Sequence, residues 1–265
     1  MTNVNNPMDQ TPKKIAQIKL EFMQASKEEI LVLLEKYDGD ERSGAVTICN
    51  QYRNKAQMLQ KELERLAKMK IYEQKYNDYE YICGIDEVGR GPFAGPVIAA
   101  AVILPKDCEI LYINDSKQLS EKKREELYDE IISKAIAYGI GSVPPNQIDE
   151  INILQATYEA MRKAIGNLKV RPDILLNDAV TIPGVDIKQV PIIKGDAKSV
   201  SIAAASIIAK VTRDRMMGAY HQVFSQYDFA SNKGYGSAKH IEAIKQYGLT
   251  PIHRRTFVKN FYTEE

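Results

Sequence analysis

A chain of 265 residues, 44% hydrophobic and 27% charged, has room for one large domain or for one domain with an appendage, and its composition is that of an ordinary globular protein. The apolar runs are too short to span a bilayer, and the polar start Met1–Gln10 shows no secretory signal. Three cysteines without a Cys-x-x-Cys pair and three histidines without ligand spacing speak against a disulfide framework and structural zinc, so a reducing cytoplasm is expected.

The net charge of +1 hides an asymmetry. Lys194 to Glu265 holds 11 Lys or Arg against 6 Asp or Glu, a net of +5, which leaves −4 for the preceding part. A basic C-terminal region suits contact with a polyanion on one side; a solvated helix surface would look the same.

Residues 1–78 read as a helical extension. Lys13–Ala25 is amphipathic at helical spacing, and Ser26-Lys-Glu-Glu29 is a capping box opening a helix through Lys36. Asp38-Gly39-Asp40 stops it, and Glu41–Tyr76 reads as one long charged helix. Residues 79–265 read as the main domain. Its first strand, Tyr79–Ile85, ends at Asp86, and Val97–Leu104 is an uninterrupted apolar run of strand length. Asn114-Asp-Ser-Lys117 is a loop, and Ser120 caps a helix over Glu121–Ala137. Ala137–Val143 is a third or edge strand closed by Pro144-Pro145, and Ile148–Leu168 is a helix. A short strand, Asp173–Asn177, delivers Asp178, and another, Ile187–Ile193, breaks at Gly195-Asp196. Ser199–Phe224 is mostly helix, with Ala203-Ala204-Ala205 small enough to approach a sheet closely. Ser237–Tyr247 is the last clear helix, before an Arg/Lys-rich tail. Strands first, then helix and strand in alternation, predict an α/β fold with a mixed sheet.

The chemistry concentrates in Gly84-Ile-Asp-Glu-Val-Gly-Arg-Gly-Pro-Phe-Ala-Gly-Pro96. Asp86 and Glu87 at a buried strand end are costly unless a cation satisfies them, and glycines around Arg90 let backbone N–H groups approach a ligand. A hairpin turn with its acids in water is the competing reading. Asp178 also ends a strand, at the sheet edge where open α/β folds bind ligands. If the two strands are neighbours, their carboxylates meet, and Asp196 follows a further strand. Four carboxylates without His or Cys favour a hard ion, Mg²⁺ or Mn²⁺, although strand-end acids also serve as caps and turn formers. Gly89-Arg-Gly91 fails as a dinucleotide fingerprint because prolines and a strand follow it, and Gly195-Asp-Ala-Lys-Ser199 lacks the upstream glycine of a phosphate loop. Lys198, Lys210, Arg213 and Arg215 are able to touch phosphates, with Asp214 an ion-pair partner among them. Tyr235, in Lys233-Gly-Tyr-Gly236, is either a stacking platform or an idle loop residue. Cys83 reads as a small buried strand residue.

These blocks, with Ile148-Asp-Glu-Ile-Asn-Ile153, Lys194-Gly-Asp196, Ala203–Asp214 and His253-Arg-Arg255, closely resemble the ribonuclease HII branch of the ribonuclease H type 2 family, from about Tyr79 to Phe261. The ribonuclease HIII branch usually has lysine where Arg90 stands. The resemblance implies a ribonuclease H-like mixed sheet flanked by helices. It implies Mg²⁺- or Mn²⁺-dependent cleavage of RNA in RNA–DNA hybrids and cutting 5′ of single ribonucleotides in duplex DNA. It puts the family's four acids on Asp86, Glu87, Asp178 and Asp196, as catalytic residues and metal ligands. Its 2′-hydroxyl-sensing motif falls on Gly89, Arg90 and Gly91, its stacking tyrosine on Tyr235, and Lys117 joins the substrate-binding set. Two metals would then act on the scissile phosphate, one activating water and the other stabilising the departing oxygen. A cytoplasmic monomer acting on hybrids and ribonucleotide-containing DNA, without a membrane, is expected. Two departures stand out: Ala179 occupies a position where many members have glycine, and the extension before Asn77 lies outside the core pattern. A nuclease cutting all-DNA junctions on the same fold, and a non-catalytic binding module, are the alternatives.

Overall fold

The computed structural model describes residues 13–261, so Met1–Gln10 lies outside the described residues. The chain divides into two compact units, one ending at Arg65 and the other beginning at Leu66. The first holds α1 (Ile15–Gln24), α2 (Lys27–Lys36) and most of α3 (Ser43–Met69). The expected capping box opens α2: the Glu29 N–H donates to the Ser26 hydroxyl oxygen and the Ser26 N–H donates to the Glu29 carboxylate. Phe22 stacks on Tyr52 at 4.7 Å between centroids, in a small core with Ile18, Leu34 and Ile48. The single helix expected over Glu41–Tyr76 is two, because Lys70 leaves helical geometry (φ −92°, ψ 4°) before α4 (Ile71–Lys75). No glycine or proline marks this break. Burial of Leu66 and Met69 in the second unit's core accompanies it.

The second unit is built on β1 (Ile82–Val88), β2 (Val97–Ile103), β3 (Ala137–Val143), β4 (Ile174–Asp178) and β5 (Lys188–Ile192). They form one mixed sheet in the order β3-β2-β1-β4-β5, antiparallel from β3 to β1 and parallel from β1 to β5. Helices α5 (Glu121–Lys134), α6 (Pro145–Gly166) and α7 (Val200–Val223) flank it, followed by α8 (Phe229–Asn232), α9 (Ala238–Tyr247) and α10 (Arg255–Val258). The unbroken apolar run of β2 has a two-sided explanation. Ile98, Ala100 and Val102 join a core with α5 and α7, while Val97, Ala99, Ala101 and Ile103 join one with α6. Helix α7 lies so close to β1 that a Cβ on Gly84 would stand 2.0 Å from the Ser201 carbonyl carbon. Ala203, Ala204 and Ala205, all fully buried, continue that tight contact.

Three boundaries move. β1 begins at Ile82 and runs to Val88, so Asp86 and Glu87 lie inside the strand and pair across to Ala100 and Ala99. Helix α5 stops at Lys134, because Ala137 is committed to the edge strand β3. Helix α6 starts at Pro145 and kinks at Asn152 (φ 65°, ψ 165°), whose side-chain oxygen accepts from the Leu154 and Gln155 N–H groups and recaps the helix.

Candidate metal and nucleic-acid site

The parallel register sets the site. Ile85 on β1 faces Asn177 on β4, which brings the next residues, Asp86 and Asp178, side by side at one sheet edge. Asp196 arrives from the turn after β5: the Gly195 N–H donates to the Asp178 Oδ1 at 2.7 Å, and Lys194 makes the bend in the left-handed region (φ 56°). Ala179, directly after Asp178, is also left-handed (φ 57°), a conformation glycine adopts without strain and alanine does not.

Each carboxylate has its own partner. Asp86, 5% exposed, accepts from its neighbour's N–H at 2.7 Å, and the Ser206 hydroxyl on α7 favours its charged form. Ser206 in turn lies 2.9 Å from the buried Ser116 hydroxyl of the Asn114–Lys117 loop. Glu87 accepts from the Arg90 Nη1 at 3.2 Å through one oxygen, while its Oε2 is buried without a partner. Asp196 lies 3.9 Å from the Lys117 Nζ, whose side chain is 77% exposed.

Burial, then Glu87 and Asp178, push the Asp86 carboxyl well above its ordinary range, against the hydrogen bond from Ser206. Burial raises Glu87 against the pull of Arg90, and burial followed by Asp115 and Asp178 raises Asp196. Burial works against the charge on Lys117, but Asp115, Asp86, Asp196 and Asp178 outweigh it and hold the amine above its ordinary value. One cationic side chain therefore feels three of the four acids, Asp86, Asp178 and Asp196. Among the described residues no three His, Cys, Asp or Glu side chains stand close enough together to hold a metal ion as they are placed. An orphaned carboxylate oxygen, mutually repelling acids and an all-oxygen donor set nonetheless fit a hard divalent cation.

The Gly89–Pro96 turn adjoins the acids. Gly89 (φ 86°) is buried, and a Cβ there would stand 2.3 Å from the Arg213 Nε. Gly91 is exposed, and its Cβ would meet only the Tyr235 ring edge at 3.8 Å. The first glycine is thus required by packing, whereas at the second a Cβ would make only ordinary contact with Tyr235, which is 48% exposed. Tyr235 is held from behind. The Thr250 N–H donates to the His253 Nδ1, so the His253 Nε2–H points at the His240 Nε2 (3.0 Å) and the His240 Nδ1–H donates to the Tyr235 carbonyl (2.8 Å).

Several basic residues expected at phosphates are committed elsewhere. Arg213 is fully buried, Lys210 and Arg124 flank the buried Asp214, and Arg215 pairs with Glu125. Lys117 and Lys198 remain exposed beside Asp196. Cys83 is buried in β1 as expected. Ser116 and Ser206 were missed because hydroxyls carry no sequence signal of such a contact, although both lie inside blocks already singled out. Arg254 stands in the sequence within a basic tail and the His253-Arg-Arg255 block, neither of which signals its burial.

The family model described as Ribonuclease HII matches residues 83–264, and the one described as Ribonuclease HII N-terminal domain matches residues 14–77. A Ribonuclease HII of Lachnoclostridium phytofermentans is 64% identical over 247 residues, covering 93% of this chain and 97% of that protein. One of Clostridioides difficile is 51% identical over 250 residues, covering 94% and 98%. The crystal structure of the ribonuclease H2 from Pyrococcus horikoshii superposes with a TM-score of 0.59 at 30% identity, over 68% of this chain and 96% of that one.

Proposed function

The chain belongs to the ribonuclease HII family of metal-dependent endoribonucleases, and from that membership we propose that it cuts 5′ of single ribonucleotides embedded in duplex DNA as well as the RNA strand of RNA–DNA hybrids. The observation that carries this reading is the adjacency of two differently built sites. A set of buried and half-buried carboxylates with an orphaned oxygen lies next to a turn whose exposed Gly91 faces the exposed Tyr235 ring.

Asp86, Glu87, Asp178 and Asp196 would hold two Mg²⁺ or Mn²⁺ ions, which supply charge stabilisation at the phosphate and an activated water. Ser206 holds Asp86 in place, and the Gly195 N–H holds Asp178 and thereby the Asp196 turn. Lys117, exposed at the rim, meets the substrate phosphate and balances the negative set. The backbone around Arg90 and Gly91 reads the ribose 2′-hydroxyl, which distinguishes RNA from DNA. Tyr235 stacks on the next sugar. Basic residues of the C-terminal half follow the phosphates, so activity falls with salt. We assign catalysis to residues 79–265 and treat residues 1–78 as a helical extension of the same polypeptide.

The test is cleavage of three matched duplexes: all-DNA, RNA–DNA hybrid and DNA carrying one ribonucleotide. Cleavage of the last two, with the cut 5′ of the lone ribonucleotide, is expected. Preference for all-DNA would favour a junction nuclease and overturn the proposal.

A further inference from the structure

Two of the bulkiest fully buried side chains in the described chain are arginines, Arg213 on α7 and Arg254 just before α10. Both guanidinium groups spend their hydrogen bonds on backbone carbonyls. Arg213 donates to the Pro96 (3.0 Å) and Ala94 (3.0 Å) carbonyls and, through its third nitrogen, to Lys233 (2.8 Å). Arg254 donates to Gly95 (3.0 Å), Arg90 (2.8 Å) and Gly89. Five of these six carbonyls belong to the Gly89–Pro96 turn, and the sixth lies two residues before Tyr235.

The backbone closes the same joint. The Phe93 and Ala94 N–H groups donate to the Gly234 carbonyl at 2.8 and 3.2 Å, and the Arg254 N–H donates to the Phe93 carbonyl at 2.8 Å. Gly234 lies so close to Ala94 that a Cβ would meet its carbonyl oxygen at 2.4 Å. Desolvating two guanidinium groups is expensive, and that cost is offset by six backbone carbonyls that an apolar side chain would leave unpaired. What the arginines add is a rigid planar fork with its donors in fixed directions. A hairpin turn closes without such a brace; two turns that must keep a set spacing do not.

We propose that Arg213 and Arg254 are positioning residues for ribonucleotide recognition: together they fix the distance between the Gly89–Gly91 turn and Tyr235. They thereby set where the sugars on either side of the cut are held against the carboxylates. The inference rests on the reading in which those two elements grip the substrate. It assigns the arginines no contact with nucleic acid, and their burial allows none. Lysine in either place keeps the charge but loses the fork.

A double-mutant cycle in the full-length protein tests this, with Arg254→Lys, Tyr235→Ala and the double variant, and with Arg213→Lys as an independent second arm. Steady-state kinetics are read on DNA carrying one ribonucleotide, and a melting curve on each variant. Arg254→Lys is expected to fold and to lower kcat/KM by about ten- to a hundredfold, the range that a misplacement of about an ångström produces. Most of that loss should fall on kcat. In the Tyr235→Ala background the same substitution should cost less than about threefold, because the element it positions is gone. Full multiplication of the two losses in both arms would overturn the proposal, as would lysine variants that do not fold, which would make the arginines scaffold residues alone. If Tyr235→Ala by itself leaves cleavage unchanged, the reading of the grip falls first and the proposal with it.

Discussion

Two clusters of buried charge meet at the Gly89–Pro96 turn and are built on opposite rules. On the β1 side, Asp86, Glu87, Asp178 and Asp196 crowd like charges together, and one carboxylate oxygen of Glu87 has no partner. Beneath the turn, Arg213 and Arg254 are also buried like charges, yet each engages three backbone carbonyls. On the proposed reading, the unsatisfied cluster is a place prepared for something the chain does not supply. The satisfied one is internal scaffolding that needs nothing more. Buried charge alone therefore does not mark a ligand site; the balance of its hydrogen bonds does.

The largest stability effect belongs on the satisfied side. Arg254→Met would strand the Gly89, Arg90 and Gly95 carbonyls and should cost about 3 kcal/mol or more, at roughly 1–3 kcal/mol for each buried group left unpaired. Denaturant melts measure it, and a loss below about 1 kcal/mol would mean that the turn re-solvates freely.

The histidine relay behind Tyr235 gives a pH signature of similar size. Burial, then the neighbouring His240, pushes His253 down to about 4 from an ordinary value of 6.5. Between those values the unfolded chain binds more protons than the folded one. The contribution of the neutral ring is therefore complete above about 6.5 and drains away as pH falls toward 4, by on the order of 2–3 kcal/mol. Melts of the wild type against His253→Gln should converge as the pH drops; parallel curves would contradict the relay.

The two glycines flanking Arg90 separate packing from function. Gly89→Ala collides with Arg213 from a left-handed backbone and should destabilise by about 2 kcal/mol. Gly91→Ala should stay within about 0.5 kcal/mol of wild type while impairing cleavage at a single ribonucleotide. Equal stability losses would erase the distinction. The smallest effect is at Ala179, where glycine would relieve left-handed strain of roughly 1–2 kcal/mol but loosen the unfolded chain, leaving a gain between zero and about 1 kcal/mol.

The fold was legible where periodicity and punctuation are strong. The apolar run of β2, the Pro-Pro stop after β3 and the serine caps at Ser26 and Ser120 all fell where the sequence put them. The break at Lys70 was not legible, because burial of Leu66 and Met69 overrides a locally continuous helix pattern. At the candidate site, Asp178 was readable as a strand-end acid and Asp86 as an acid near one, although Asp86 lies inside β1, and their adjacency followed once β1 and β4 paired. Ser206, Arg213 and Arg254 were not, since a hydroxyl or a guanidinium looks the same in sequence whether it faces water, a carboxylate or a carbonyl.

The central claim is that the unsatisfied acidic cluster holds the metal. Melting temperature with and without Mg²⁺ tests it most directly, in the wild type and in Asp86→Asn, beside cleavage of a ribonucleotide-containing duplex. Wild type should be stabilised by Mg²⁺. Asp86→Asn should melt slightly higher than wild type without metal, having lost a mutual repulsion, gain little from Mg²⁺, and cleave roughly a thousandfold more slowly or worse. An Asp86→Asn protein that is stabilised by Mg²⁺ as wild type is and still turns over would contradict the account.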